Sequence, residues 1–275
     1  MGVVSGKVAF ISGVARGMGR AHAVRLAEEG ADIIGFDLCA DDPDVEYPLA
    51  TRADLDETVR LVEGHGRRIL VDVLDVRDAP GIQAFLDRSV AELGGLDIVI
   101  ANAGIASITG EQHTRLSSFE ASVDIMLKGV FYTVRAAIPH VQAGGRGGSI
   151  VITSSTAGLK GTGDGEPGSM GYVAAKHGVV GLMRSWANVL AKDLIRVNTI
   201  HPTGVATPMI VNEAFAKFVQ TSPEFTEVLK NPLPTTNGMI EAFDVTDTVL
   251  HLVSDAGRYI TGVTLPVDAG FNNRV

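Results

Sequence analysis

Short apolar runs alternate with longer amphipathic segments along almost the whole chain. Seven runs are hydrophobic at nearly every position, which is typical of parallel strands buried on both faces of a sheet. These runs cover residues 8–12, 32–37, 69–75, 97–102, 149–155, 195–201 and 264–268. Helix-like segments lie between them, near residues 20–29, 54–65, 80–93, 117–142, 171–191 and 244–254. This alternation, without an internal repeat or a long linker, predicts one α/β domain over residues 1–275: a single Rossmann-type, doubly wound, parallel seven-stranded sheet with helices on both faces.

Two segments depart from this rhythm. Residues 39–54 contain two prolines and a cluster of acidic residues where a short connection would suffice, and we interpret them as an insert after the second strand. Residues 207–240 carry apolar side chains among prolines and polar residues, namely Met209, Ile210, Phe215, Phe218, Phe225, Leu229 and Met239. We interpret this second segment as a substrate lid or pocket wall. The alternative is a pair of surface helices packed on the core.

The composition narrows the range of functions. The formal net charge of -9 at pH 7 argues against nucleic acid and membrane surfaces as partners. No apolar run approaches the roughly 20 residues that a membrane-spanning helix needs, and the N-terminus lacks the pattern of a signal peptide. Cys39 is the only cysteine, so no intramolecular disulfide can form, and we expect a soluble, cytoplasmic protein. One cysteine and seven scattered histidines offer no tetrahedral zinc site, so we expect no metal.

A glycine-rich segment, SGVARGMG at residues 12–19, connects the first strand to the first helix. Gly13, Gly17 and Gly19 let the backbone turn sharply and approach a pyrophosphate, whose charge is stabilised by the free N–H groups of a helix N-terminus. A glycine triplet alone is a weak signal, but its position between strand and helix is the one that dinucleotide binding requires. Arg16 and Met18 lie in the same loop and belong to the predicted cofactor site.

Asp37, at the end of the second strand, indicates which dinucleotide binds. It lies 18 residues after Gly19, where a carboxylate can bind both ribose hydroxyls of NAD and repel the 2′-phosphate of NADP. Leu38 follows it in the predicted site. Acidic residues of the insert would add to the repulsion, and these are Asp41, Asp42, Asp44 and Glu46. Arg16 favours the opposite choice, since a guanidinium can bind a phosphate, but we predict NAD because a carboxylate and a 2′-phosphate would meet in a poorly hydrated site.

The ends of the third and fourth strands complete the predicted cofactor site. Asp75 and Val76 are placed to contact the adenine edge through a side-chain acceptor and a backbone group. Asn102 would stabilise the end of the sheet, while Ala103 and Gly104 would line the cofactor. For each of these residues the alternative is a simple turn at a strand end.

Tyr172 and Lys176 are four residues apart in a segment rich in helix formers, so they share one helix face, one turn apart. A tyrosine in this position would interact electrostatically with the charge of the lysine. The spacing alone carries little weight, because a Y-x-x-x-K pattern occurs by chance in many helices. The other motifs of the chain therefore decide whether the pair transfers a proton.

Five segments, in order along the chain, resemble the motifs of the short-chain dehydrogenase/reductase superfamily. They are SGVARGMG, ANAG, SIVITSSTAG, GYVAAKHG and VNTIHPTGVATPM, and they span nearly the whole chain. Within the superfamily, the insert and the segment GYVAAKHGVVGLMR resemble the actinobacterial carveol-dehydrogenase-like, mycofactocin-associated branch. That resemblance implies tightly held NAD and an external redox acceptor for the bound NADH. The superfamily also implies a homotetramer built on the two long helices.

The resemblance implies a catalytic set of Ser155, Tyr172 and Lys176. A free phenol has a pKa near 10 and is a poor base at neutral pH, but Lys176 and the positive nicotinamide ring would favour the phenolate. Ser155 would hold the substrate oxygen while Tyr172 takes the hydroxyl proton and hydride leaves for the nicotinamide. Tyr172 and Lys176 would also contact the cofactor.

The segment HPTGVATPM resembles the part of the superfamily's cofactor site that holds the carboxamide. It implies that Pro202, backbone groups near Val205 and the hydroxyl of Thr207 fix which face of the nicotinamide is exposed. The superfamily usually has glycine directly after the proline, whereas Thr203 stands there in this chain. The local backbone is therefore expected to differ.

A second departure lies in the long fourth helix, where the superfamily commonly has an asparagine that holds a water between the lysine and solvent. This chain reads DIMLKGVF at residues 124–131, which places Met126 at that position. A thioether accepts hydrogen bonds only weakly and donates none. The proton relay is expected to be slower, rerouted or unnecessary in this protein.

These features predict an NAD-dependent oxidoreductase that interconverts an apolar, cyclic or terpenoid secondary alcohol and its ketone. The apolar segment 207–240 motivates the substrate class, because a phosphorylated or carboxylate substrate would require arginines. The alternative is a non-catalytic dinucleotide-binding redox sensor or scaffold. Met126 favours that alternative, and the intact set of Ser155, Tyr172 and Lys176 opposes it.

Overall fold

The computed structural model describes residues 2–221 and 230–274. Within them, seven strands form one sheet with the order β3-β2-β1-β4-β5-β6-β7, and all neighbouring strands are parallel. The strands are β1 (Val8–Ser12), β2 (Asp32–Asp37), β3 (Ile69–Val73), β4 (Ile98–Ala101), β5 (Gly148–Thr153), β6 (Ile195–Pro202) and β7 (Thr264–Val267). The predicted doubly wound, Rossmann-type parallel sheet is confirmed.

Helices connect these strands and cover both faces of the sheet. They are α1 (Gly17–Glu28), α2 (Arg52–Gly64), α3 (Ala79–Leu93), α4 (Leu116–Val123), α5 (Gly129–Ala143), α6 (Pro167–Leu190), α7 (Glu213–Thr221) and α8 (Ala242–Val253). In the part of the chain described, no helix combines the length and the apolar character that crossing a membrane requires.

The core consists of two layers, one on each face of the sheet. Side chains alternate between the two faces along a strand, so Phe10 of β1 packs in one layer and Ile11 in the other. The first layer contains residues of α3, α5 and α6, and the second contains residues of α1, α2 and α8. Both strand faces are therefore buried, which explains the nearly continuous hydrophobicity of the runs.

Several strands end earlier than the apolar runs that predicted them. β3 ends at Val73, β4 at Ala101 and β5 at Thr153. Asp75 and Ser155 consequently lie in the loops that follow the carboxyl ends of their strands. Hydrophobicity reports burial and not backbone pairing, so it does not show where a buried segment turns away from its neighbouring strand.

The predicted helix over 117–142 contains an interruption. Residues Asp124–Lys128, between α4 and α5, form a π-helical turn, in which hydrogen bonds join residues five apart. Met126 is completely buried in this turn. The chain is helical throughout residues 116–143, and the periodicity of apolar positions does not resolve the single wide turn within this helical segment.

In the described parts of the segment 207–240, residues 207–221 and 230–240, the chain is irregular apart from α7. The rings of Phe215 and Phe218 on this helix lie 6.2 Å apart, centroid to centroid. Phe225 and Leu229, which the sequence analysis also assigned to the lid, lie outside the described residues. The lid function stays a prediction.

Candidate active site

A cleft opens at the carboxyl ends of β1, β2 and β4, where the strand order changes direction. In open α/β sheets this switch point is where ligands bind. Twelve of the predicted cofactor-binding residues line the cleft: Gly13, Arg16, Gly17, Met18, Asp37, Leu38, Asp75, Val76, Asn102, Ala103, Gly104 and Thr207. The tertiary structure thus brings together residues that lie at or after the ends of five different strands, β1, β2, β3, β4 and β6.

The glycine loop leaves no space for side chains at two of its positions. A Cβ on Gly13, which has a φ of 69°, would lie 2.8 Å from Cα of Ala103. A Cβ on Gly19 would lie 1.9 Å from the carbonyl oxygen of Gly13. The backbone is therefore bare where α1 begins at Gly17, and its N–H groups suit the pyrophosphate of a dinucleotide.

Asp37 is fixed to the glycine loop. Its Oδ2 accepts a hydrogen bond of 2.9 Å from the backbone N–H of Ala15. Burial raises the pKa of Asp37, while backbone hydrogen bonds and the charge of Arg16 partly oppose this rise. The guanidinium of Arg16 itself donates a hydrogen bond of 2.7 Å to the carbonyl of Pro48. This hydrogen bond joins Arg16 to the segment that follows β2. Arg16 therefore has a structural contact besides the phosphate binding considered above.

The segment between β2 and α2, residues 38–51, forms a strap along the cleft. Tyr47 is only 4% exposed, and its hydroxyl accepts a hydrogen bond of 3.1 Å from the backbone N–H of Ala106. Asp42 pairs with Arg77 at 3.2 Å. Sequence reasoning did not assign Asp42, Tyr47 or Arg77 to the cleft wall that they line. The sequence signal that could have indicated this wall was Tyr47, a single aromatic residue among acidic residues and prolines.

Asp75 is held by Arg77 rather than left free. The guanidinium of Arg77 donates to both carboxylate oxygens of Asp75, with the shortest distance at 2.6 Å. Partial burial acts to raise the pKa of Asp75, but the hydrogen bonds and charge of Arg77 outweigh it and lower that pKa. The carboxylate keeps lone pairs for another donor, so its contact with adenine stays a prediction.

Asn102 joins the ends of three strands. Its Nδ2 donates to the carbonyl oxygens of Ser12 and Gly13 at 3.3 and 3.2 Å, and its Oδ1 accepts from the hydroxyl of Thr153 at 3.3 Å. These contacts agree with the predicted role of Asn102 in stabilising this end of the sheet.

Ser155, Tyr172 and Lys176 meet beside the cleft. Nζ of Lys176 lies 5.6 Å from the centroid of the Tyr172 ring and donates a hydrogen bond of 2.9 Å to the carbonyl of Thr153. Lys176 is 4% exposed. The side chain of Ser155 acts to lower the pKa of the Tyr172 phenol.

Burial controls the protonation of these groups. It raises the pKa of Tyr172, an effect that the side chain of Ser155 partly opposes. Burial also lowers the pKa of Lys176 to about 8. The protein alone therefore holds the phenol protonated, and the joint effect of Lys176 and the nicotinamide ring on the phenolate stays a prediction.

A second cavity of about 710 Å³ adjoins the cleft, and Met18, Thr207 and Met209 line both. Ser155, Tyr172, Pro202 and Val205 line this second cavity, while the predicted residues Gly19 and Lys176 line neither. Most of its remaining wall is apolar and includes Ile108, Val173, Ile210, Phe215, Phe218, Met239 and Phe271.

One carboxylate of the cavity wall is locked by its neighbours. Asp164 accepts hydrogen bonds from the hydroxyl of Ser169 at 2.5 Å and pairs with Nε2 of His113 at 2.9 Å. Burial acts to raise the pKa of Asp164, but the contacts with Ser169, Glu166 and His113 lower it to about 2. Sequence reasoning missed this cluster, because His113 lies 51 positions before Asp164 and no local pattern joins the two. Within the described ranges, no group of three or more His, Cys, Asp or Glu residues is arranged to hold a metal ion.

Comparisons with known proteins agree with this architecture. A family model described as enoyl-(acyl carrier protein) reductase matches residues 13–272. The chain is 48% identical over 283 residues to (-)-trans-carveol dehydrogenase of Rhodococcus erythropolis, with 98% of this chain and 99% of that protein covered.

Two solved structures are similar along their whole length. Carveol dehydrogenase of Mycobacterium avium in complex with NAD has a TM-score of 0.92 and 44% identity, with 100% of both chains covered. A short-chain dehydrogenase of Mycobacterium paratuberculosis bound to NAD has a TM-score of 0.91 and 44% identity, covering 99% of this chain and 100% of that one. From its sheet, its glycine loop and these similarities, the chain belongs to the short-chain dehydrogenase/reductase family.

Proposed function

We propose that this protein is an NAD-dependent oxidoreductase that interconverts an apolar, cyclic or terpenoid secondary alcohol and its ketone. The observation that carries this proposal is the position of Ser155 and Tyr172 on the wall of an apolar cavity that adjoins the glycine-loop cleft, with Nζ of the buried Lys176 5.6 Å from the centroid of the Tyr172 ring. The NAD-bound relatives support the cofactor, and the bare backbone of the glycine loop fits it.

Ser155 and Tyr172 face the reacting oxygen in this proposal. The hydroxyl of Ser155 holds the substrate oxygen as charge shifts during the reaction, and Oη of Tyr172 takes the alcohol proton. When bound, NAD supplies the acceptor for the hydride, and its positive ring opposes the high pKa that burial gives Tyr172. Lys176 adds a second positive charge near the phenol and is itself held by the carbonyl of Thr153.

The cavity supports the substrate class. Its apolar wall favours a hydrocarbon skeleton. The carveol dehydrogenases among the relatives act on a compound of this chemical type, as their names state.

We also propose a cytoplasmic homotetramer that passes electrons from bound NADH to an external redox acceptor. Exposed apolar side chains on α4, α5 and α6 support self-association, and they include Phe119, Phe131, Met170 and Val189. The contacts of the strap support slow release of NADH and hence reoxidation in place. Light scattering of the purified protein tests the tetramer.

Carveol and related cyclic alcohols are the first substrates to test, with and without an artificial electron acceptor. We expect NADH formation in a single turnover and continued turnover when the acceptor is present. Mass spectrometry of the denatured protein should find co-purified NAD or NADH. Bound dinucleotide without oxidation of any secondary alcohol would support the redox sensor or scaffold instead.

A further inference from the structure

His201 lies at the end of β6, directly behind the loop that carries Ser155. The side chain is 0% exposed. Its Nδ1 lies 2.7 Å from the carbonyl oxygen of Ser155, and its Nε2 lies 2.9 Å from the hydroxyl oxygen of Thr199. Both ring nitrogens are therefore within hydrogen-bond distance of a defined partner.

The identity of the partners fixes the tautomer of this ring. A carbonyl oxygen only accepts, so Nδ1 carries the proton and donates it to Ser155. Nε2 is then the acceptor, and the hydroxyl of Thr199 donates to it. Burial lowers the pKa of His201 to about 4, and the charges of Lys176 and His177 act in the same direction. The imidazole stays neutral, with every polar atom satisfied.

The ring donates to the loop after β5 at a point where the backbone of β6 has no donor to offer. The backbone N–H groups of Thr199 and Thr203 donate to the β7 side of the sheet. Since N–H groups alternate in direction along a strand, that of residue 202 would face β5, where Ser154 already donates its N–H to the carbonyl of Ile200. Residue 202 is proline and has no N–H. Beyond Ile200, the strand therefore offers β5 no further backbone donor.

We propose that His201 is a positioning residue that fixes the backbone of Ser155 and thereby aims its hydroxyl at the substrate oxygen. This inference rests on the proposed function, in which Ser155 holds that oxygen. His201 does not touch the substrate oxygen in this account. It acts through the carbonyl of Ser155, while the neighbouring Ser154 hydroxyl donates at 2.8 Å to the carbonyl of Lys176 and fixes the loop from its other side.

Two neutral substitutions separate positioning from simple filling of the core. In His201→Asn the amide lies where Nδ1 was, so it can still donate to Ser155. In His201→Gln the amide reaches the place of Nε2, so it can form a hydrogen bond with Thr199 but cannot donate one to the carbonyl of Ser155. Glutamine is the closer match to histidine in size, so a merely structural role predicts that asparagine is the more damaging change.

Positioning predicts the reverse order. We expect His201→Gln to lower kcat by roughly 10- to 100-fold, the range associated with a misplaced catalytic group, and His201→Asn to recover most of that loss. The affinity for NAD, measured by calorimetry, should be the same in both variants. In a Ser155→Ala background, His201→Gln should cause no further loss of kcat, because its effect passes through the serine.

Thr199→Val provides a second test that keeps the ring and removes the hydroxyl that lies 2.9 Å from its Nε2. It should cause a smaller loss of kcat that also disappears in the Ser155→Ala background. Unchanged kcat in both His201→Gln and Thr199→Val, or a larger loss in His201→Asn than in His201→Gln, would overturn the positioning role. Normal turnover of Ser155→Ala by itself would instead refute the proposed role of the serine, so the two failures can be told apart.

Discussion

The carboxylate of Asp37, at the end of β2, accepts a hydrogen bond of 2.9 Å from the backbone N–H of Ala15 in the glycine loop. This contact fixes one carboxylate oxygen and leaves lone pairs of the other oxygen for the ribose hydroxyls of the cofactor. The same carboxylate would repel the 2′-phosphate of NADP. Cofactor choice is thereby linked to the geometry of the pyrophosphate loop.

We expect the wild-type protein to bind NAD(H) well over tenfold more tightly than NADP(H), and Asp37→Ala to narrow this difference through loss of the repulsive charge. Calorimetry with both cofactors measures the effect. Asp56→Ala, an exposed acid on α2, controls for a general change in net charge. Equal wild-type affinities for the two cofactors would refute the electrostatic argument.

Tyr172→Phe removes only the hydroxyl that transfers the proton in the proposed mechanism. We expect NAD binding to persist while turnover falls by roughly 10²-fold or more, the contribution typical of an acid–base group. Tyr259→Phe is the matched control, because Tyr259 is 88% exposed. This variant should have normal turnover. Near-normal turnover of Tyr172→Phe with any alcohol that the wild type oxidises would disprove the assignment.

The strap should slow the release of cofactor, because the Asp42–Arg77 pair fastens it to the loop after β3. Asp42→Asn removes the ionic attraction at nearly constant size, and we expect NADH to dissociate several-fold faster in stopped-flow fluorescence. Asp56→Asn, which removes the charge from an exposed ion pair on α2, should leave the release rate unchanged.

Replacement of residues 40–52 by a Gly-Ser connection should produce a larger acceleration. That variant also removes Val45 and Tyr47 from the core, so its folding must be checked by circular dichroism. Release of NADH at the wild-type rate in both folded variants would show that the strap does not control cofactor release.

Met126 lies close to Lys176, the lysine of the proposed catalytic set. A Cβ built on Gly104 would lie 3.5 Å from Cγ and Sδ of Met126 and 3.7 Å from Nζ of Lys176. An apolar side chain therefore stands where the superfamily has its relay asparagine. If bound NAD is reoxidised without leaving the protein, electron transfer to the acceptor limits overall turnover. Slow proton transfer then does not lower the overall rate.

Met126→Asn should then leave overall turnover with the acceptor nearly unchanged and accelerate single-turnover proton release, measured with a pH-sensitive dye. Met126→Leu, which keeps the site apolar, should accelerate neither. If Met126 only fills an apolar gap, Met126→Asn will lower thermal stability without any kinetic change, because it buries an unpaired amide. Faster multiple turnover of Met126→Asn with the acceptor present would show that proton transfer does limit overall turnover and would contradict this account.

His22 makes stability depend on pH. It is completely buried, with Nδ1 2.8 Å from the hydroxyl of Thr246, and burial lowers its pKa from 6.5 to about 3. The unfolded chain therefore binds more protons than the folded one between these values. The neutral histidine's contribution to stability is complete above pH 6.5 and is lost progressively as the pH falls toward 3.

Urea denaturation at pH 7.5 and pH 5 should show a lower free energy of unfolding at pH 5. His22→Asn keeps an amide at the place of Nδ1 and does not titrate, so it should reduce this difference. His65→Asn, at an exposed position after α2, should leave it unchanged. An identical pH dependence in wild type and His22→Asn would show that other groups control the acid sensitivity.

The ordered motifs of the chain were sufficient to predict the fold, while the assigned roles of the site residues stay predictions. Alternating apolar runs report burial on both faces of strands, and local spacing reports the shared helix face of Tyr172 and Lys176. The π-helical turn around Met126 was not visible in this way, because one wide turn hardly alters the pattern of apolar positions.

The sequence by itself determined the parallel seven-stranded sheet, the glycine loop and the acid at Asp37, because each depends on local spacing or on periodic burial. Only the tertiary structure decided what depends on distance through space. It engaged Arg16 with the strap, paired Asp42 with Arg77 and placed His201 behind Ser155. Such contacts join residues 32, 35 and 46 positions apart, and no local pattern records them because the folded sheet alone brings these loops together.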